Sequence, residues 1–268
     1  MKKIIRSAVI ALLLVVIFPC TAKADMGPKP SVHITFEGIE GDFYVTLLSS
    51  TESYGPYQSF ETETDYEDSG DEILKKFIAF ARNDEYYLIN YPVRCSKNEG
   101  FSWTYYPPEN FKLLIYLIDS DEFLLTESYS KYAFDSYYKY DRQSNTLINN
   151  YDYKVEAFSL IGRVVLTVII EVLIALLFKY RKHLKLIVIV NIFTQGLLNL
   201  FVNMTNYYAG LLTVVFTIFV AELIVLIVET VVYRIAFKEN KAILYAIVAN
   251  ILSFIAGSYL AVIIPGLL

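Results

Sequence analysis

The stretch LLTVVFTIFVAELIVLIVETVVY, residues Leu211 to Tyr233, is apolar over a length that crosses a bilayer as one helix. Two carboxylates, Glu222 and Glu229, interrupt it. Seven helical residues separate them by about 10 Å along the axis and about 20° of rotation, so both lie on one face. A carboxylate in hydrocarbon is costly and normally points into protein or a wet cavity. Other hydrophobic segments must therefore be its neighbours.

Three such segments surround it: Ala157–Lys179, Leu186–Thr205 and Ala242–Pro265, with the opening stretch extended to Ala209–Ala236. Short loops make neighbouring helices antiparallel. Lys179, Arg181, Lys182 and Lys185 fill the first loop, and Arg234, Lys238 and Lys241 fill the third. The second, Asn206 to Gly210, carries no charge. Positive loops stay cytoplasmic, which predicts loops 179–185 and 234–241 inside, with residue 156 and the C-terminus outside.

Each predicted helix also carries a polar face. The first has Glu171; the second has Asn191, Thr194, Gln195, Asn199 and Asn203 as a slowly winding stripe. The third has Glu222, Glu229 and Tyr233; the fourth has Tyr245, Asn250, Ser253 and Gly257. These faces converge only in a bundle interior, where small Ala249, Ser253 and Gly257 permit close approach. The candidate intramembrane polar site is thus Glu171, Asn191, Gln195, Asn199, Glu222, Glu229 and Asn250. Two roles fit it: interhelical hydrogen-bond glue, or a site for a proton, cation or polar ligand.

The 268-residue chain is 55% hydrophobic, but unevenly so. Residues 25–156 hold 24 acidic and 11 basic side chains, a net of −13, whereas residues 157–268 hold 4 and 8, a net of +4. An acidic soluble half lacks the basic footprint that nucleic acid requires. Residues 1–24 have the form of a secretory signal: Lys2, Lys3 and Arg6, an apolar core from Ser7 to Cys20, then Ala22-Lys23-Ala24 before Asp25. An uncleaved anchor is the alternative. Bulky Phe18 and Pro19 before Cys20 argue against a lipoprotein.

Residues 25–156 suffice for one independent core. Alternating and apolar runs predict strands at Val32–Phe36, Phe43–Leu48, Tyr86–Asn90, Phe111–Ile118, Phe123–Thr126 and Tyr132–Tyr140. Asp119-Ser120-Asp121 makes a hairpin turn. Ser69 to Arg82 is helical in pattern, with Ile73, Phe77 and Phe80 at helical spacing behind Asp71 and Glu72. Seventeen of the 23 tyrosines fall in this half. Residues 132, 134, 138 and 140 would share one strand face, as sheet core or as an aromatic platform for a sugar or peptide.

Several chemistries are excluded. The acidic run from Asp65 begins like a calcium loop, but Lys76 stands where the bidentate Glu belongs. Cys95 has no histidine near it in sequence, and His33 and His183 are isolated. The membrane half contains no His-Glu-x-x-His, no Glu-Glu-x-x-x-Arg and no Ser–His or Cys–His pair. No cofactor is indicated.

Gly27-Pro28-Lys29-Pro30-Ser31, Tyr105-Tyr-Pro-Pro-Glu-Asn-Phe-Lys112 and Tyr132-Ala-Phe-Asp-Ser-Tyr-Tyr138 resemble an uncharacterised family of Gram-positive bacterial membrane proteins. The resemblance covers the whole chain and implies the same layout, with no catalytic roles to carry over. The strand pattern also resembles transthyretin-type sandwiches, by fold analogy alone.

The expectation is therefore an α+β membrane protein: a signal peptide (1–24), an extracytoplasmic β-sandwich-like domain with one short helix (25–156), and a four-helix transmembrane bundle (157–268). Its function would be binding or sensing outside the plasma membrane, coupled to the intramembrane polar site, with no catalysis evident; an enzyme of unknown class is the third reading. The alternative is a small transporter or channel component relaying a proton or cation through Glu222 and Glu229. Partners would be membrane lipids, and a second copy or a partner membrane subunit.

Overall fold

The computed structural model describes residues 29–60 and 71–263. The signal-like leader and most of the acidic run lie outside the described residues, as does the end of the fourth expected span.

The β-rich half is a two-sheet sandwich. One sheet runs β12 (Thr146–Asn149), β11 (Asp135–Asp141), β1 (Ser31–Glu37) and β7 (Phe101–Trp103). The other runs β10 (Tyr129–Ser130), β8 (Asn110–Leu117), β2 (Phe43–Ser49) and β5 (Tyr87–Leu88). Onto this second path β6 (Val93–Cys95) pairs with β2, and β9 (Glu122–Leu125) with β8. A small hairpin joins β3 (Ser53–Tyr54) to β4 (Tyr57–Gln58). The first sheet is mixed, because β1 pairs parallel with β11 and antiparallel with β7.

Alternation explains the core. Val32 and Ile34 of β1, and Tyr138 and Tyr140 of β11, point inward against Phe43, Val45, Leu47, Phe111, Leu113 and Ile115 of the other sheet. The opposite face of the second sheet carries Leu48, Leu88, Leu114 and Tyr116, which are covered by α1 (Glu72–Ala81) through Leu74, Phe77, Ile78 and Ala81. Asp71 caps that helix by accepting from the Ile73 and Leu74 amides. Thus the expected helix forms, but its fully buried stripe includes Leu74 and Ile78, while Ile73 and Phe80 lie at its edges.

Two strand expectations are corrected. The strand expected over Tyr132–Tyr140 begins only at Asp135, because Ser136 Oγ accepts from the Tyr132 and Ala133 amides and turns the chain there. Residues 132 and 134 therefore leave the strand face. Tyr86–Asn90 contributes only the two-residue β5.

Among the described residues, three helices are long and apolar enough to cross a membrane: α2 (Tyr153–Leu177), α3 (Leu184–Phe237, together with the short 3-10 turn Arg181–His183 before it) and α4 (Lys241–Ile263). Asp152 caps α2 by accepting from the Lys154 and Val155 amides. Its other end closes by a Schellman motif: Lys179 takes φ 64°, and the Tyr180 amide donates to the Ala175 carbonyl at 2.8 Å.

Straight, the 54 residues of α3 would run about 81 Å, far beyond a bilayer. They do not run straight. Gly210 stands at φ 77°, ψ 169°, a conformation open essentially to glycine alone. The two arms, 184–209 and 211–237, lie side by side: Leu198 and Val202 pack with Val214 and Val225, and Thr194 reaches Glu229. The loop expected at Asn206 to Gly210 is thus a single residue, with helix running up to it. Phe158, Phe193, Phe216, Phe219 and Ile235 are exposed on the outer helical faces, an apolar surface of the kind lipid covers.

The sandwich sits on the Gly210 end of the helices. The Phe134 amide donates to the Tyr207 carbonyl at 2.8 Å, and the Phe134 ring lies over Gly210. Tyr151 joins the junction, its ring centroid 5.5 Å from that of Tyr207 and 4.7 Å from that of Tyr153. The opposite end gathers Phe178, Tyr180, Tyr233, Phe237 and Tyr245.

Candidate functional site

The stripes anticipated on the helices meet, but in two layers. The inner layer centres on Glu171 of α2 and Glu229 of the second α3 arm, both 0% exposed. Asn191 Nδ2 donates to Glu171 Oε2 at 2.7 Å. Thr194 Oγ1 donates to Glu229 Oε1 at 2.7 Å, and Asn250 Nδ2 donates to Glu229 Oε2 at 2.8 Å. The two carboxyl groups themselves lie within hydrogen-bonding reach of each other. Tyr233 comes within 3.0 Å of Asn191 Nδ2, and Tyr245 donates to the Glu171 backbone carbonyl at 3.3 Å.

Each helix supplies a part because its sequence spacing brings that part to the centre. Asn191 and Thr194 are one turn apart on the first α3 arm, and Glu229 and Tyr233 are one turn apart on the second. Ala242, Ala246 and Ala249 of α4 are fully buried, and their small side chains let that helix close on the others.

The outer layer contains Glu222, Gln195 and Asn199. They line a cavity of about 80 Å³ with Arg163, Thr167, Ser253 and Gly257. That is room for a few waters. Arg163 reaches across to Asn203, Nη2 donating to Oδ1 at 2.9 Å. It also lines a second cavity, of about 100 Å³, at the junction end, with Glu156, Ser159 and Asn206.

The seven anticipated residues fall in two adjoining layers. Glu171, Asn191, Glu229 and Asn250 come together; Glu222, Gln195 and Asn199 face the adjoining cavity. Thr194, Tyr233 and Arg163 were legible as polar residues on apolar helices, but nothing in the sequence singled them out as partners.

Four buried polar atoms find no partner among the described residues: Arg163 Nε, Glu171 Oε1, Asn191 Oδ1 and Asn250 Oδ1. Among the described residues, no group of three or more histidines, cysteines and carboxylates is placed to hold a metal.

In the sandwich, Cys95 is buried on β6, and burial pushes its thiol up to about 11. It is a packing residue rather than a nucleophile. His33 lies on the outer face of β1, with Ser31 Oγ 2.8 Å from Nε2 and Ser102 Oγ 2.8 Å from Nδ1. Its ring stacks on Tyr137 at 4.9 Å.

No family model, no curated protein and no solved structure matches this chain.

Proposed function

We propose that this is an integral membrane protein of a cell envelope whose helical bundle holds a positively charged species between Glu171 and Glu229. The two arms of α3 each cross once, giving four crossings with α2 and α4. The sandwich stands outside, and the lysine- and arginine-rich turns lie inside. It is a binding or sensing module: the sandwich rests on the bundle through Phe134, Tyr207 and Gly210, so occupancy of the bundle and the posture of the outer domain share one junction.

One observation carries this reading. Two carboxylates lie fully buried and side by side, and the donors that reach them among the described residues are neutral amides and a hydroxyl. Two adjacent carboxylates in a dry site do not both stay ionised and uncompensated. Hydrogen-bond glue needs polar residues, but it does not need a carboxylate pair without a cation. The cavity bringing Glu222 and Arg163 up to this layer supports a second reading, a transporter or channel component in which Glu222 hands a proton or cation onward.

Thermal unfolding in detergent across pH tests the proposal. In a His33→Gln background stability should change with pH, and adding Glu171→Gln with Glu229→Gln should keep or gain stability at neutral pH while losing that remaining dependence. A triple variant that unfolds far more easily, beside a His33→Gln protein indifferent to pH, would leave only glue.

A further inference from the structure

Glu171 Oε1, Asn191 Oδ1 and Asn250 Oδ1 are all acceptors, all buried, and all without a donor among the described residues. The orientation of both amides is fixed. Each Nδ2 donates to a carboxylate oxygen, at 2.7 and 2.8 Å, so turning either amide over would set two acceptors against each other. Each Nδ2 also donates to the carbonyl one turn earlier on its own helix, Ile187 for Asn191 and Ala246 for Asn250. The unmet need is therefore specific: three electron-rich oxygens beside a carboxylate pair, in a region 0–5% exposed.

A proton answers part of that need, since it can bridge Glu171 to Glu229. It leaves both amide oxygens unmet, because a carboxyl hydroxyl serves one acceptor. A cation is shared by several oxygens at once. Everything facing the pair is oxygen-bearing: Glu171 from α2, Asn191 and Thr194 from the first α3 arm, Glu229 and Tyr233 from the second, Asn250 and Tyr245 from α4. Glu222 acts on Glu171 from one layer away. Among the described residues, no lysine, arginine or histidine forms an ion pair with either carboxylate. An all-oxygen donor set without nitrogen or sulfur disfavours zinc and other transition metals. Calcium takes six to eight oxygens and magnesium keeps several waters, whereas among the described residues three oxygens of this layer are left without a donor.

We infer that the layer formed by Glu171, Glu229, Asn191 and Asn250 binds a sodium-sized alkali cation, with the carboxylates supplying charge and the amide oxygens completing the shell. The inference rests on the proposed function and adds the chemical class of what is bound. A cation and the bridging proton compete for the same carboxylates, so binding should weaken as pH falls.

The test is thermal unfolding of the full chain in detergent, titrated with sodium chloride against N-methylglucamine chloride at matched ionic strength and at two pH values. The expected result is a sodium-specific rise in Tm of several degrees, larger at higher pH. It should be lost in Glu229→Gln and in Asn250→Leu and kept in Glu222→Gln. If either variant fails to fold, sodium protection of wild-type amides near residues 171, 191 and 250 from hydrogen exchange gives the same readout. A pH response that Glu171→Gln with Glu229→Gln removes, without any response to sodium, overturns the cation and leaves the proton reading standing. A wild type that responds to neither overturns both. A sodium response that survives in Glu229→Gln places the ion elsewhere and overturns the assignment.

Discussion

At the scale of a residue, His33 is a pH-sensitive position of the β-sandwich. Burial holds it below its ordinary value of 6.5, against the opposing pull of Asp135. Ser31 and Ser102 occupy both ring nitrogens, and Tyr137 covers one face. The neutral ring is thus favoured in the folded chain. The unfolded chain takes up a proton near 6.5, while the folded one resists until lower pH. The stability held by the neutral ring is therefore complete above that value and is lost as pH falls through it. His33→Gln should flatten the decline in Tm between pH 7 and 5. Parallel declines for wild type and variant would show that His33 does not titrate against folding. The position also connects to the bundle: Tyr137 neighbours Tyr151 at 6.4 Å, and Tyr151 neighbours Tyr207 at 5.5 Å.

At the scale of an element, the break in α3 depends on one residue that no other type replaces. A Cβ on Gly210 would sit 2.5 Å from Phe134 Cε1, and the backbone there is closed to L side chains. Gly210→Ala should cost about 3 kcal/mol, the sum of backbone strain and a displaced ring. Phe134→Ala relieves only the second part, so the same substitution made in that background should cost about 1 kcal/mol less. Denaturant unfolding of the four proteins in detergent reads the difference; equal costs would separate Phe134 from Gly210. This element also shows how far sequence alone reached. The apolar runs on either side of Asn206 to Gly210 and the lack of charge between them placed the break. Its sharpness came from a tertiary contact, Phe134 on Gly210, that no local pattern encodes. The polar stripes were equally visible, since a carboxylate or amide in an apolar helix stands out, and periodicity showed which shared a face. Which residue met which depended on the axial offset between helices, so Glu229 found Thr194 and Asn250 while Glu222 fell one layer away. The short strands β3, β4, β6, β7, β10 and β12 escaped because two to four residues carry too little alternation to read.

At the scale of the whole molecule, charge and docking predict one orientation. Arg181, Lys182 and Lys185 stand at the helix end remote from the sandwich, as do Arg234, Lys238 and Lys241, while the acidic sandwich rests on the turn at Gly210. Positively charged loops resist translocation, so the charged end should stay in the cytoplasm and the sandwich outside. Because α2 and α4 flank a hairpin whose arms lie side by side, both charged turns must share one side of the membrane whichever side that is. A single reversal thus moves every loop together, and two positions decide the matter. In a chain with Cys20 and Cys95 replaced by serine, Lys182→Cys should resist a membrane-impermeant maleimide in intact cells and react after permeabilisation. Gln143→Cys, exposed on the turn between β11 and β12, should react before permeabilisation. The opposite pair of results would invert the protein and put the sandwich in the cytoplasm. Protection of both positions in intact cells would place both on the inner side, which is incompatible with α2 as a crossing.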